Sequence, residues 1–227
     1  MKTKTTVLIV IMGMAGLLSC RGIPSDVRKA FTYCYSGTYT GLDTLINLDG
    51  YYHGPSMIFY TNGMVVSPSR LNFSYNNVTF SKDASLFFQG ITGNPEAKDS
   101  KRFFSSVDCG GYVICGDTIK VQLIHKSYSI NDNWSGDEEW YKIIDRNTLQ
   151  LINWFPVTTN KKELERFRKD YSRIAKKIPA KNFTPVSIKP QPDYFWILKE
   201  KWFWCNEQDW KAYMDEIKRK GVEDKNK

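Results

Sequence analysis

Two short apolar runs meet across Gly116-Asp117, and that juncture constrains the fold more than any other feature of the 227 residues. Tyr112-Val113-Ile114-Cys115 enters it and Thr118-Ile119-Lys120-Val121-Gln122-Leu123 leaves it. In the second arm Ile119, Val121 and Leu123 alternate with Lys120 and Gln122, the period of a strand with one buried and one wet face. A Gly-Asp pair between such arms reverses the chain as a tight hairpin. The device recurs on both sides. Met57-Ile58-Phe59-Tyr60 and Met64-Val65-Val66 flank Thr61-Asn62-Gly63, where Asn and Gly tolerate positive φ. Glu139-Trp140-Tyr141-Lys142-Ile143-Ile144 faces Leu149-Gln150-Leu151-Ile152 across Asp145-Arg146-Asn147-Thr148. Successive hairpins with no helical period between them predict a mainly β chain whose up-and-down antiparallel sheet curls or closes into a barrel. With 41% hydrophobic residues and 15% aromatic, the chain has the means to fill one.

Less regular stretches surround these hairpins. Thr44-Leu45-Ile46-Asn47-Leu48-Asp49-Gly50-Tyr51-Tyr52 reads as a strand with a turn, and residues 68–100, rich in Ser, Asn, Asp and Gly, read as an excursion around Leu86-Phe87-Phe88. Gly111 to Gln122 resembles the central hairpin of lipocalin-like lipoproteins of Gram-negative bacteria. Trp134 to Leu151 does so too, through Glu138-Glu139-Trp140-Tyr141-Lys142-Ile143-Ile144-Asp145. Gly50-Tyr51-Tyr52 with Phe59-Tyr60-Thr61-Asn62-Gly63-Met64 is similar to their first hairpin. The resemblance implies an up-and-down, calycin-type barrel with C-terminal flanking helices, and it carries over no catalytic residue.

The first residues read as an address. Lys2 and Lys4 precede the apolar run Val7 to Leu18, too short and glycine-broken for a good membrane span. Leu17-Leu18-Ser19-Cys20 resembles the lipobox of bacterial lipoproteins, which implies cleavage before Cys20 and acyl chains upon it. A lipid bilayer is thus the first expected partner, since two or more chains at about 0.8 kcal/mol per buried methylene anchor a protein firmly. Arg21 stands where Asp would resemble an inner-membrane retention signal, so the periplasmic face of the outer membrane is the expected site. The chain then divides into a signal peptide (1–19), a lipidated tether (20–32), the barrel (33–156) and a basic C-terminal segment (157–227).

The formal charge of +8 is local. Residues 161–227 hold 18 Lys plus Arg against 11 Asp plus Glu, whereas residues 20–160 hold 12 against 13. Residues 161–177 predict a helix capped by Asn160 with Glu163 completing a capping box, its apolar side formed by Leu164, Phe167, Tyr171, Ile174 and Ile178. Its basic face suits a solvated surface, lipid headgroups or an acidic polymer. Residues 181–192 read as a Pro-punctuated crossing, and Tyr194 to Cys205 as an aromatic strand or hairpin filling the barrel's side or mouth. A last helix follows, capped by Asn206 and stopping at Gly221.

Two histidines, His53 and His125, leave little for a zinc centre or a His-based triad, and no Gly-rich phosphate loop is present. Asp137-Glu138-Glu139 is the densest carboxylate group, read as a solvated strand start. Of the cysteines beyond Cys20, Cys34, Cys109, Cys115 and Cys205 allow three complete pairings. Cys109 and Cys115 lie too far apart to bridge if the chain between them is extended. No enzyme activity, cofactor, metal or nucleic-acid partner is expected. The expected function is a membrane-anchored, non-catalytic barrel binding a small apolar ligand or an envelope protein. The alternative is a carbohydrate-binding module in which Trp196, Trp202 and Trp204 stack on a glycan.

Overall fold

The computed structural model describes residues 23–53, 56–67, 74–75, 78–79, 107–126, 134–175, 177–186 and 189–223. The signal peptide, Cys20 and Leu86-Phe87-Phe88 lie outside the described residues. The architecture is mainly β. Eight antiparallel strands run in the order β1-β10-β9-β8-β7-β6-β3-β2. They are β1 (Gly50–Tyr52), β2 (Ile58–Phe59), β3 (Met64–Ser67), β6 (Asp108–Cys115), β7 (Thr118–Lys126), β8 (Trp134–Asp145), β9 (Thr148–Pro156) and β10 (Lys181–Pro185). A separate two-residue ladder pairs β4 (Ser74–Tyr75) with β5 (Val78–Thr79). The outermost strands β1 and β2 meet through a bridge between Tyr52 and Met57, so the sheet is a nearly closed barrel.

The three predicted hairpins form, the first two with their predicted turns and the third tighter by one residue at each end, because Asp145 and Thr148 pair within the strands and only Arg146-Asn147 turn. Ile114 faces Ile119 and Cys115 faces Thr118 across Gly116, whose φ of 63° few side chains would accept. Gly63, at φ 89°, turns the chain between β2 and β3. β8 and β9 pair with register shifts at Trp140/Tyr141 and Ile143/Asp145. These bulges bend the longest strand and help the sheet curl.

Three segments depart from the sequence reading. The first is residues 42–48, where only a 3-10 turn forms (Leu42–Thr44) and no strand begins before Gly50. Leu42 and Ile46, four residues apart, share one side of that coil and are fully buried in the barrel's core. Arg146 donates to the carbonyls of Thr44 and Asp43 (both 2.9 Å), seating this plug on the β8–β9 turn. The second is the Pro-punctuated crossing, whose first five residues become β10 and slot between β9 and β1. The barrel therefore takes its eighth strand from beyond residue 156. The third is the aromatic segment, which folds as 3-10 turns (Pro192–Tyr194, Trp196–Lys199, Lys201–Phe203) and not as a strand. Its apolar residues lack the alternation a half-buried strand needs, and tight turns bury Ile197, Leu198 and Phe203 together.

Helix α1 (Ser25–Ala30) and the extended chain after it lie against the barrel's outer face. A disulfide joins Cys34 to Cys205, choosing one of the pairings the sequence left open, while Cys109 is buried and free and Cys115 exposed and free. Helix α2 (Lys161–Ala175) has the expected Asn160 cap: its side chain accepts from the amides of Lys162 and Glu163. The return bond of the predicted capping box goes elsewhere, because the Asn160 amide donates to Thr158 Oγ1 (3.1 Å). Ile174, predicted on the apolar side, stands half exposed, and Ala175 takes the buried place beside it. Helix α3 (Glu207–Glu223), capped by Asn206, runs two residues past the predicted stop. No helix among the described residues is long and apolar enough to cross a membrane.

Candidate functional site in the barrel lumen

Residues opposite one another in an antiparallel pair share a face of the sheet, which makes the lumen readable from the register. Phe59 opposes Val65, Val65 opposes Gly110, and Tyr112 opposes Val121. Ile119 opposes Tyr141, which in turn opposes Leu151. These side chains, with Leu123, Leu149, Tyr52, Leu42 and Ile46, form a single buried cluster lining the interior. An eight-stranded barrel is just wide enough for its own side chains to fill or for one small ligand to enter.

The same register places ionisable groups inside. Val121 faces Glu139, Leu123 faces Asp137, and Leu149 faces Lys181, so all three charged side chains belong to the lumen wall. They are 4%, 7% and 1% exposed. The Tyr141 hydroxyl donates to Glu139 Oε2, and Lys181 Nζ lies 5.4 Å from the centroid of the Tyr141 ring. One buried tyrosine thus contacts an acid through its hydroxyl and a base through its face. Trp154, opposite Glu139, adds an indole N–H that is buried and has no hydrogen-bond partner. Each buried ion costs several kcal/mol of desolvation, and an unmet buried donor costs about 1–3 kcal/mol.

The lumen wall is completed by a helix. β10 pairs with β9 at only two positions, Lys181 with Leu149 and Asn182 with Thr148. Along the rest of that edge α2 packs, with Tyr171 edge-on to Trp154 at 4.9 Å and Ala175 in the lumen cluster. Just beyond α2, Ile178 O accepts from Gln150 Nε2 (3.0 Å).

The carboxylate triplet is not a solvated strand start. β8 begins three residues earlier, at Trp134, so Asp137, Glu138 and Glu139 sit in a strand paired on both edges and all three are buried. Glu138 points to the outer face, where it accepts from Tyr33 OH (3.0 Å), Gln122 Nε2 (2.8 Å) and Trp140 Nε1 (2.6 Å). Gln122 Oε1 in turn accepts from the amides of Thr32 (2.7 Å) and Tyr33 (3.2 Å). This network fastens the N-terminal strap, residues 31–35, to the barrel. Burial and the neighbouring Glu138 carboxylate hold the Tyr33 hydroxyl far above its ordinary pKa.

The three tryptophans proposed for glycan stacking lie on the other side of the wall, in the cover formed by the strap and the aromatic segment. Trp196 Nε1 donates to Val107 O, Trp202 Nε1 to Glu200 Oε2 and Trp204 Nε1 to Leu198 O, at 2.9–3.0 Å. Their rings are engaged with Trp134, Phe31 and Tyr35 respectively, at 5.2, 5.5 and 4.7 Å. All three are half-buried parts of the packing, with their donors already used.

Two further titratable groups have shifted equilibria. Lys189 is lowered to about 8, chiefly by burial, while its ammonium donates to Leu48 O (2.9 Å) and to Phe59 O. Burial pushes the Cys109 thiol well up, which makes it a poor nucleophile. Among the described residues no group of three His, Cys, Asp or Glu side chains is placed to hold a metal ion. The chain matches no known protein family, no curated protein and no solved structure.

Sequence reasoning flagged Asp137 to Glu139 but missed Lys181 and Trp154. The only hint was a lysine beginning a short apolar-alternating stretch, Lys181-Asn182-Phe183, whose face depends on a pairing 32 residues away in sequence.

Proposed function

We propose that this chain is a lipid-anchored, non-catalytic binding protein of the bacterial cell envelope, held by an acylated Cys20 at the periplasmic face of the outer membrane. Its lumen takes one small, mainly apolar ligand whose polar end meets the Glu139–Tyr141–Lys181 group and the Trp154 indole. The observation that carries this reading is the placement of buried charges and an unmet N–H donor inside an otherwise aromatic and aliphatic barrel. Apolar side chains would stabilise the interior at lower cost, whereas a ligand acceptor at Trp154 Nε1 would complete its hydrogen bonding. The resemblance to lipocalin-like lipoproteins supports both the anchor and the use of the lumen.

The test is native mass spectrometry of protein extracted from its own membranes. A non-covalent adduct is expected, and it should be weakened about five- to tenfold by Trp154→Phe, which removes the N–H and keeps an aromatic ring, at about 1 kcal/mol for one neutral hydrogen bond. Lys181→Met should weaken it further. Protein that carries nothing, and whose tryptophan emission does not move on titration with extracted membrane lipids, refutes lumen binding. An N-terminal peptide of unmodified mass refutes the anchor.

A further inference from the structure

Helix α2 carries one feature that neither the lumen nor the barrel wall requires. Lys162, Arg166, Lys169 and Arg173 follow one another at spacings of four, three and four residues. At 100° per residue they form a stripe some 60° wide, directly opposite the side that packs on β9, and about 17 Å long. All four are exposed and none makes an ion pair among the described residues, although Glu163, Glu165 and Asp170 stand on the same helix. Helix α3 treats its charge in the opposite way. Lys211 pairs with Glu207, Lys218 with Asp215, and Lys220 with both Glu216 and Asp193. Lys211, Lys218 and Lys220 of α3 are therefore met within the molecule, and the cations of the α2 stripe are not.

Helix α2, which bears the stripe, and the N-terminal strap share one flank of the barrel. The Arg168 guanidinium lies 5.0 Å over the Phe155 ring, and Phe155 meets Trp140 at 5.9 Å. Trp140 and Tyr33 both donate to Glu138. The strap bearing Tyr33 thus runs beside α2. Ile23, where the described chain begins, is three residues from Cys20, a reach of about 11 Å at full extension.

We infer that the Lys162–Arg173 stripe of α2 is a docking surface for an anionic lipid bilayer. The inference rests on the reading of Cys20 as a lipid anchor, because the anchor is what brings this flank to a bilayer. A linear row of flexible cations with no socket and no interleaved exposed aromatics matches a flat, diffuse negative surface better than a shaped acidic partner. The attraction acts within about 8 Å at physiological ionic strength, so a short tether is what makes it effective. Docked this way, the barrel is held against the membrane by one side and does not swing on its tether.

The test uses the mature chain, residues 20–227 with Cys20→Ser, which keeps every described residue and cannot be acylated. Co-sedimentation is measured with vesicles of phosphatidylcholine alone and with one-third phosphatidylglycerol. Binding is expected only to the second, weakening as salt rises. Each neutralised charge should reduce it about fivefold, so K162Q/K169Q/R173Q should bind about a hundredfold more weakly. The control K201Q/K211Q/K218Q should bind as the parent does. Equal binding to both vesicle types, or a stripe variant indistinguishable from the control, overturns the inference. So does binding to polyglutamate but not to vesicles, which would make the partner an acidic macromolecule. Because no acyl chain is involved, an unmodified native Cys20 would remove the anchor while leaving the vesicle result to stand or fall alone.

Discussion

Replacing both Cys34 and Cys205 with serine isolates the contribution of one cross-link with unusual clarity. Both positions are exposed, so Ser for Cys opens no cavity and strands no buried group. What changes is the unfolded chain. The bridge closes a loop with a sequence separation of 171. In the chain-entropy treatment, T(2.1 + 1.5R ln n) comes to about 5 kcal/mol at 25 °C, a ceiling that native disulfides approach at about 2–5 kcal/mol. Against a typical domain stability of about 5–15 kcal/mol this is a large share. The bonds beside it are backbone bonds that the substitution leaves in place: Tyr35 N to Phe203 O (2.7 Å) and Cys205 N to Tyr35 O (2.9 Å). Urea denaturation of C34S/C205S should therefore show a loss of about 2–5 kcal/mol. Amide exchange at Thr32, Tyr33 and Tyr35 should rise, because the strap can now open without the barrel. A loss under about 1 kcal/mol, with protection of those amides unchanged, would refute the idea that the cross-link holds the strap and closes the chain.

Three further outcomes are expected. In Gly111→Ala the new Cβ would stand 2.4 Å from Tyr33 O, so the strap must shift away from Gln122; a loss of about 1–3 kcal/mol and faster exchange at Thr32 and Tyr33 should follow. Glu138→Ala leaves Tyr33 OH, Trp140 Nε1 and one Gln122 N–H without their acceptor, and equilibrium unfolding should show about 3 kcal/mol lost. Stability should also depend on alkaline pH in two opposed ways. Lys189 titrates near 8 when folded and near 10.5 when unfolded, so the unfolded chain binds the extra proton in between and stability rises with pH across that window, by up to about 3 kcal/mol. Tyr112, raised to about 12 by burial, keeps its proton when the unfolded chain has lost it, so stability falls from pH 10 upward by up to about 3 kcal/mol. Buried Tyr60 steepens that fall. Thermal melts from pH 7 to 12 should pass through a maximum near pH 9–10, and a monotonic decline from pH 8 would count against the Lys189 assignment.

How much of this was legible in the sequence depends on how local the deciding interaction is. The Gly116 and Gly63 turns, the alternation of β7 and the caps at Asn160 and Asn206 are settled within a few residues, and they form where the sequence places them. Residues 42–48 have strand-like composition, yet Leu42 and Ile46 gain more as a plug, since fully burying each side chain contributes about 2 kcal/mol and the open barrel end offers the space. Nothing local announces that space. The Cys34–Cys205 pairing and the insertion of Lys181–Pro185 beside β1 are likewise facts of topology, invisible until the barrel is assembled.

The candidate site is the extreme case of the same rule. Asp137, Glu138 and Glu139 form one polar cluster on paper, but the pleat divides them: Glu138 to the outer network, its two neighbours to the lumen. Sequence alone assigns a solvated fate because charged triplets are rarely buried. Burial follows from events elsewhere: β7 and β9 flank the strand on both edges, the strap covers Glu138, and Lys181 arrives from β10 to share Tyr141 with Glu139. Each acid therefore owes its environment to cross-strand partners at least fourteen residues away. The two destinations also separate the roles. The outer carboxylate meets three donors and leaves the strap docked, a structural task fully met. The inner ones lie beside Trp154, whose N–H is still without an acceptor, so the pleat separates a strap-docking carboxylate outside the barrel from two carboxylates beside an unmet donor inside it.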